Sequence, residues 1–480
     1  MTSPGSTDAL RVLLPGFAGP ELPDWLRERL ADGLGGVCLF ATNIASPAQL
    51  RELTAAILAA NAAAVIAIDE EGGDVTRLHQ ATGSPYPGNA VLGRLDDVDY
   101  TREVAGVVGM ELVAAGVTLD FAPDADINSD ERNPVIGVRS FGADPELVSR
   151  HTVAWIAGLQ ATGVAASAKH FPGHGDTASD SHLAMPVVDL PVEMLRTREL
   201  LPFAAAVAAG TRSVMTSHIL LPQLDADNVA TFSPRILGEL LRGELGFAGA
   251  IVTDALDMRG ASGEIGMAAA AVRALRAGAD LLCLGTDNTA EQIDELAAAI
   301  AADVDAARVA EAAGRSASLG GDPVRARTSA ARDGSGHPEA PALTGTPAFD
   351  LDRTIGAFEV ADGVAIGRER LLVQLETGSN IAVGGSPWGP AAAGAEVVHL
   401  REGDRVPVRP GIQTVVIGRD NHRRDWTRAA IAAVREQDPA AVVVDMGWPA
   451  ADRVHADIAT FGASAHGGAA LLRLLERVAR

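Results

Sequence analysis

The sequence predicts an α/β protein, an N-terminal (β/α)8 TIM barrel followed by a smaller C-terminal open α/β sandwich domain. Three observations lead there. Eight short apolar runs recur through the first 290 residues with helical stretches between them, over a span close to the roughly 250 residues such a barrel needs. Most of those runs lack the polar alternation of a half-wet sheet, as strands covered on both faces do. A stretch rich in Gly, Pro, Ser and Ala then separates them from a second set of apolar runs. At 480 residues the chain is also too long for one ordinary core. The expected organisation is a barrel over 1–314, a linker over 315–350 and a second α/β domain over 351–480.

In chain order the barrel strands are expected at RVLLPGF (11–17), GVCLF (36–40), VIAID (65–69), VTLDFAPD (117–124), VAASAKHF (164–171), SVMTSH (213–218), IVTD (251–254) and DLLCLG (280–285). Three intervening helices announce their starts: Ser46-Pro47, Asp144-Pro145 and Ser233-Pro234 each set a capping side chain before proline at the first helical position. Asp69, Asp124, Lys169, His170, His218 and Asp254 all close their apolar runs. In a barrel these would gather at the carboxyl-end rim, where such folds do their chemistry. The plainer alternative is that charges mark where strands surface into loops, which accounts for one or two of the six more easily than for all.

Beyond the linker, strands are expected at LLVQL (371–375), IAVGG (381–385), TVVIG (414–418) and AVVVDMG (441–447), with a helix over GGAALLRLLERVA (467–479). GGSPWG (384–389) lacks the G-x-G-x-x-G spacing of a nucleotide loop and reads as a strand-to-loop turn.

The 39 basic and 62 acidic residues leave 39 − 62 = −23 charges, which argues against nucleic-acid or anionic-membrane partners. Cys38 and Cys283 lie within apolar runs and read as buried small hydrophobes. The amino terminus lacks a basic n-region followed by a long apolar h-region, and no run approaches the roughly 18 apolar residues of a span. A cytoplasmic protein is expected, with no membrane partner.

The run KHFPGHGDTASDSH (169–182) concentrates three histidines and two aspartates between glycines and a proline. Pro172, Gly173 and Gly175 forbid a helix, so His170 and His174 lose the usual meaning of their four-residue spacing. A metal site on a loop, a structural loop with satisfied histidines and a proton shuttle all remain open. In the third reading Asp180 and His182 lean together across Ser181; a carboxylate favours the imidazolium, and a histidine near pKa ~6.5 gives and takes protons at neutral pH. Such a pair needs a nucleophile. In AIVTDALDM (250–258), Asp254 ends a strand and is held rigidly, whereas Asp257 sits on the next turn; Asp254 is the better candidate.

These residues carry a resemblance. KHFPGHGDTASDSH, IDEEGGDVTR (68–77), VIGVRSFG (135–142) and FAGAIVTDALDM (247–258) resemble glycoside hydrolase family 3, in its β-N-acetylglucosaminidase (β-N-acetylhexosaminidase) branch. The likeness covers roughly residues 10–290 and reaches the C-terminal domain through IAVGGSPWG and ATFGASAHGG (459–468). It implies a retaining exo-hydrolase of terminal N-acetylglucosamine, needing no metal or other cofactor. Asp254 then matches the nucleophile that forms a covalent glycosyl-enzyme, His182 the acid/base and Asp180 its dyad partner. Asp69, Arg77, Arg139, Lys169 and His170 match residues that grip the sugar's hydroxyls and acetamide, the arginines and Lys169 through charge-assisted hydrogen bonds; for Arg77, Arg139 and Lys169, pairing with rim carboxylates that only shapes the site is the alternative. His174 and Asp176 are given loop-shaping roles only.

One departure stands out. Where the family usually reads Asp-Gln-Glu-Gly-Gly-Arg, this chain has Asp69-Glu70-Glu71-Gly72-Gly73-Asp74, which leaves open how the following loop is anchored. Glycosidases usually pair two carboxyl groups. A neutral imidazole in place of one would repel an anionic acceptor less, so phosphorolysis to a sugar 1-phosphate is the runner-up reaction. A metal-dependent barrel hydrolase and a non-catalytic sugar-binding descendant are further alternatives. Muropeptide fragments, chitin fragments and glycoconjugates all present the same terminal sugar.

Overall fold

The computed structural model describes residues 4–177, 186–263, 265–321, 348–379 and 382–479. They form two compact units. One contains the described residues through Glu70, then Val98–Ile127 and Asp144 to Gly321; the other contains Glu71–Asp97, Asn128–Ala143 and the described residues from Ala348 onward.

In the first unit all eight predicted runs are strands: β1 (Leu13–Leu14), β2 (Gly36–Leu39), β3 (Val65–Ile68), β4 (Leu119–Asp120), β5 (Ala165–Phe171), β6 (Ser213–Thr216), β7 (Ala250–Val252) and β8 (Leu282–Cys283). β2 to β7 make a six-stranded parallel sheet in sequence order, and β1 pairs with β8 in parallel, Leu13 opposite Leu282. A parallel bridge joins Val252 to Leu281, and Cys38 N donates to Pro15 O at 2.9 Å. Every strand residue is buried, which is why the runs carry no polar alternation. One apolar cluster takes a side chain from each of the eight strands, Leu14, Cys38, Ala67, Leu119, Ala165, Met215, Val252 and Cys283 among them. Both cysteines lie in it, and neither forms a disulfide.

Capping follows the sequence. Ser46 Oγ accepts from Gln49 N at 3.2 Å ahead of the helix Pro47–Ala60, and Asp144 Oδ1 accepts from Leu147 N at 2.7 Å ahead of Pro145–Gln160. Ser233 caps through Ile236 N, but the segment Arg235–Glu244 is wound as a π-helix, which local composition does not announce. Among the described residues no helix is long and apolar enough to cross a membrane.

The second unit holds a six-stranded sheet of β9 (Glu359–Val360), β10 (Arg370–Leu375), β11 (Val398–Leu400), β12 (Gln413–Gly418), β13 (Val442–Asp445) and β14 (Ile458–Ala459), ordered β11-β10-β12-β13-β14-β9. All neighbours are parallel except β9, which runs against β14. Alternate residues face opposite sides. Leu372, Val415, Ile417 and Val444 meet Leu471 and Leu474 of the helix Ala465–Arg477, while Leu371, Val373, Val416 and Val443 meet Ile431 and Val434 of the helix Asp425–Gln437. The expected strand over 381–385 is corrected: Ala382–Gly385 is a turn, with Gly384 at φ +70°, a backbone no strand adopts, and Ile381 lies outside the described residues. The last helix starts at Ala465, two residues before the expected start, because Ser464 Oγ accepts from Gly467 N at 3.0 Å.

Candidate active site

In the first unit the carboxyl ends of β3, β4, β5, β6 and β7 carry the predicted polar residues. Lys169, on β5, is 2% exposed and reaches the carboxylate of Asp69, just past β3, with Nζ–Oδ1 at 2.7 Å. A lone ammonium so deeply buried would cost several kcal/mol. The pairing with Asp69 offsets this, and it needs the parallel β3–β4–β5 order to bring residues 100 apart together.

His170 is braced by a residue that the sequence reading passed over. Asp126 Oδ2 lies 2.7 Å from His170 Nδ1, and the same carboxylate accepts from the backbone N–H of His170 at 3.2 Å and of His174 at 2.7 Å. With Nδ1–H committed to a carboxylate, the neutral ring carries its lone pair on Nε2. The available signal was the Asp-Ala-Asp spacing after β4, but which aspartate meets the histidine is decided by the bridge between Asp124 and Lys169. His174 is buried and held down to about 4, first by burial and against the pull of Asp126, so it is neutral; its Nδ1 lies 2.9 Å from Thr177 Oγ1. Gly175 is required, since a Cβ there would stand 1.5 Å from Ile127 O.

Asp124, Asp126 and His170 bring potential ligand atoms within 4.8 Å of one another, so by distance the trio suits a small cation. The Asp126 carboxylate, however, already receives two backbone N–H groups and the His170 ring, the arrangement of a histidine and its orienting acid.

Asp254 lies two residues past β7, half-buried, with Oδ1 accepting from Ala255 N at 2.7 Å. His218 supports that turn: its Nδ1 is 2.9 Å from Thr231 Oγ1 and its Nε2 is 3.0 Å from Ala255 O. Asp257 instead lies against Gly285, where a Cβ would stand 2.0 Å from its carboxylate oxygen. Asp180 and His182 lie outside the described residues.

In the second unit Arg139 forms a bidentate pair with Glu71, Nε–Oε2 at 2.9 Å and Nη2–Oε1 at 2.7 Å, with both side chains below 5% exposed. Its Nε/Nη2 edge is therefore engaged with a carboxylate. Arg77 is half-buried and donates from Nη2 to Ala382 O at 3.0 Å.

Comparison with known proteins identifies the family of the chain. Residues 21–319 match the family model described as the glycosyl hydrolase family 3 N terminal domain. A β-hexosaminidase A of Pseudoalteromonas piscicida is 38% identical over 299 residues, 58% of this chain and 49% of that protein, so the match spans about half of its length. A β-hexosaminidase of Stenotrophomonas maltophilia is 37% identical over 282 residues, 56% of this chain and 82% of that one. Among solved structures, a family 3 β-N-acetylglucosaminidase from a Paenibacillus species superposes with TM-score 0.83 and 29% identity, covering 100% of this chain and 98% of the other. NagZ from Neisseria gonorrhoeae, in complex with N-trifluoroacetyl-D-glucosamine, gives 0.58 and 31% over 68% of this chain and 98% of its own. With the family model matching more than half of the sequence, the chain belongs to glycosyl hydrolase family 3 and is a glycoside hydrolase with β-hexosaminidase relatives.

Proposed function

We propose that the protein is a retaining exo-β-N-acetylglucosaminidase with Asp254 as nucleophile, His182 as acid/base and Asp180 as the dyad partner of His182. The observation that carries this is the half-buried Asp254 carboxylate just past β7, braced on one oxygen by Ala255 N, in the same parallel sheet whose strands β3 and β5 carry Asp69, Lys169 and His170 at their carboxyl ends. In the first step one Asp254 oxygen bonds to the anomeric carbon as the glycosidic bond breaks, and His182 gives its proton to the departing oxygen. In the second, neutral His182 takes a proton from water, which attacks the same carbon and releases Asp254.

Asp69, Lys169, His170, Arg77 and Arg139 bind the terminal sugar, Asp69 and Lys169 as a charged pair and His170 through the nitrogen opposite Asp126. The reading includes a closed (β/α)8 barrel over 1–314, supported by the Val252–Leu281 bridge and the β1–β8 pair, a linker over 315–350, and an α/β sandwich over 351–480, supported by the two apolar clusters flanking the second sheet. It places the enzyme in the cytoplasm with no cofactor.

The test is turnover of an aryl β-N-acetylglucosaminide. Asp254→Asn should lower kcat by at least about 10³-fold, as loss of a nucleophile does, while unchanged turnover rejects the assignment. Product analysis with and without phosphate separates this reading from phosphorolysis: free N-acetylglucosamine in both supports hydrolysis, and sugar 1-phosphate supports the runner-up.

A further inference from the structure

We propose that Asp74, the acid standing where the family usually carries arginine, is the positioning residue for Arg77, and that Arg419 is its counter-charge. This deepens the reading in which Arg77 holds the sugar and rests on it. The geometry lies wholly within the second unit. Gly72 and Val75 pair across a tight antiparallel turn, and Gly73, at φ +60°, leaves no room for a side chain, because a Cβ would stand 2.5 Å from Gly88 Cα. The turn thrusts Asp74 toward the segment after β14, where its Oδ1 accepts from Ala463 N at 2.7 Å. Arg419, one residue past β12, lines the same small void as Gly73 and Asp74. Its guanidinium is fixed over the Trp388 ring, 4.4 Å from the centroid, and donates to Thr377 O at 3.0 Å and Ser379 Oγ at 2.9 Å. Burial raises the Asp74 carboxyl and lowers the Arg419 guanidinium, and in each case the other's charge opposes the shift.

Three residues beyond Asp74, Arg77 donates to Ala382 O, and Ser386 Oγ donates to Gln80 O at 3.3 Å. The segment 74–80 is thus pinned at both ends to loops of the second sheet. An arginine at position 74 would lose the Ala463 N–H acceptor and set a second cation beside Arg419. The departure at position 74 is therefore matched by a cation from β12, and the pair fixes the loop that presents Arg77.

The experiment compares Asp74→Asn, Asp74→Arg, Arg419→Asp and the exchanged Asp74→Arg/Arg419→Asp chain on an aryl β-N-acetylglucosaminide, with Arg77→Ala as reference and thermal melts as folding control. Asp74→Arg should raise KM about tenfold with kcat within about twofold, the pattern of lost uniform binding. The exchanged chain should recover at least about fivefold of that KM loss, as coupled neighbours do. Should Asp74→Arg not fold, Asp74→Asn decides, because it keeps the acceptor oxygen, removes only the charge and should raise KM in the same sense. KM unchanged in both Asp74 variants, or no recovery on exchange, overturns the proposal. An Arg77→Ala enzyme with unchanged KM would instead refute the role of Arg77 itself.

Discussion

At the residue scale, the chemistry of this chain depends on which acid partners which base. Lys169 and His170 are adjacent yet serve different acids, Asp69 on the loop after β3 and Asp126 on the loop after β4. The sequence showed which residue types gather at strand ends. It did not show the pairings, which depend on strand register across more than forty residues. Glu199 is a similar case. It ends the π-helical segment Leu195–Glu199, lies against Gly173 of the histidine-rich loop, and accepts from Arg198 Nε at 2.6 Å, while Arg198 also pairs with Asp176. Burial raises it from 4.5 to about 7, against the pull of Arg198 and with the push of Asp126 and Asp176. A carboxyl with a raised folded-state pKa stays protonated where the unfolded chain has already released its proton. Stability therefore falls as pH rises from about 4.5 through about 7, by on the order of 1–3 kcal/mol. Glu199→Gln cannot ionise, so the drop in Tm between pH 5 and pH 8 should shrink in that variant; an identical drop in both proteins would contradict the assignment.

At the element scale, the buried strands were legible because an unbroken apolar run bounded by turn residues has few other readings, and β1 to β8 and β10, β12 and β13 all fall on such runs, even where the strand itself is two residues long. The two- or three-residue strands β9, β11 and β14 were not. Polar or charged residues interrupt the sequence around each of them, and Val360 and His399 are exposed. The IAVGG run misled because Gly384 takes a left-handed backbone after apolar residues that would otherwise suit a strand. The starts at Pro47, Pro145 and Pro234 were the most local signals and were read correctly, whereas the last helix starts two residues before its expected position. Asp144 caps the helix Pro145–Gln160 through its side chain, so Asp144→Ala should cost about 1 kcal/mol of unfolding free energy by denaturant titration, with m unchanged. A loss below about 0.3 kcal/mol would show that packing of Val148, Trp155 and Leu159 alone holds that helix start.

At the scale of the whole molecule, the chain divides differently from its composition. The glycine- and proline-rich stretch suggests a single cut, but two excursions from the strand-rich half, Glu71–Asp97 and Asn128–Ala143, pack with the second sheet. Asp74 to Ala463, Ser464 to Tyr86 O at 2.8 Å and Arg423 to Glu131 O at 3.0 Å bind them there. Contacts this far apart in sequence leave no local signature, so the placement of Arg77 and Arg139 was beyond reach of motif reading. The surplus of acids, 62 against 39 bases, suits a protein whose proposed ligand is an uncharged sugar.

The central claim is that Asp254 forms a covalent bond with the sugar. It is tested most directly by rapid acid quench during turnover of a slow, fluorinated N-acetylglucosaminide, followed by mass analysis of the peptides. The account predicts a glycosyl adduct on the peptide containing Asp254, absent from Asp254→Asn, with a β-configured first product by NMR. An α-configured first product, or an adduct on any other residue, would contradict it.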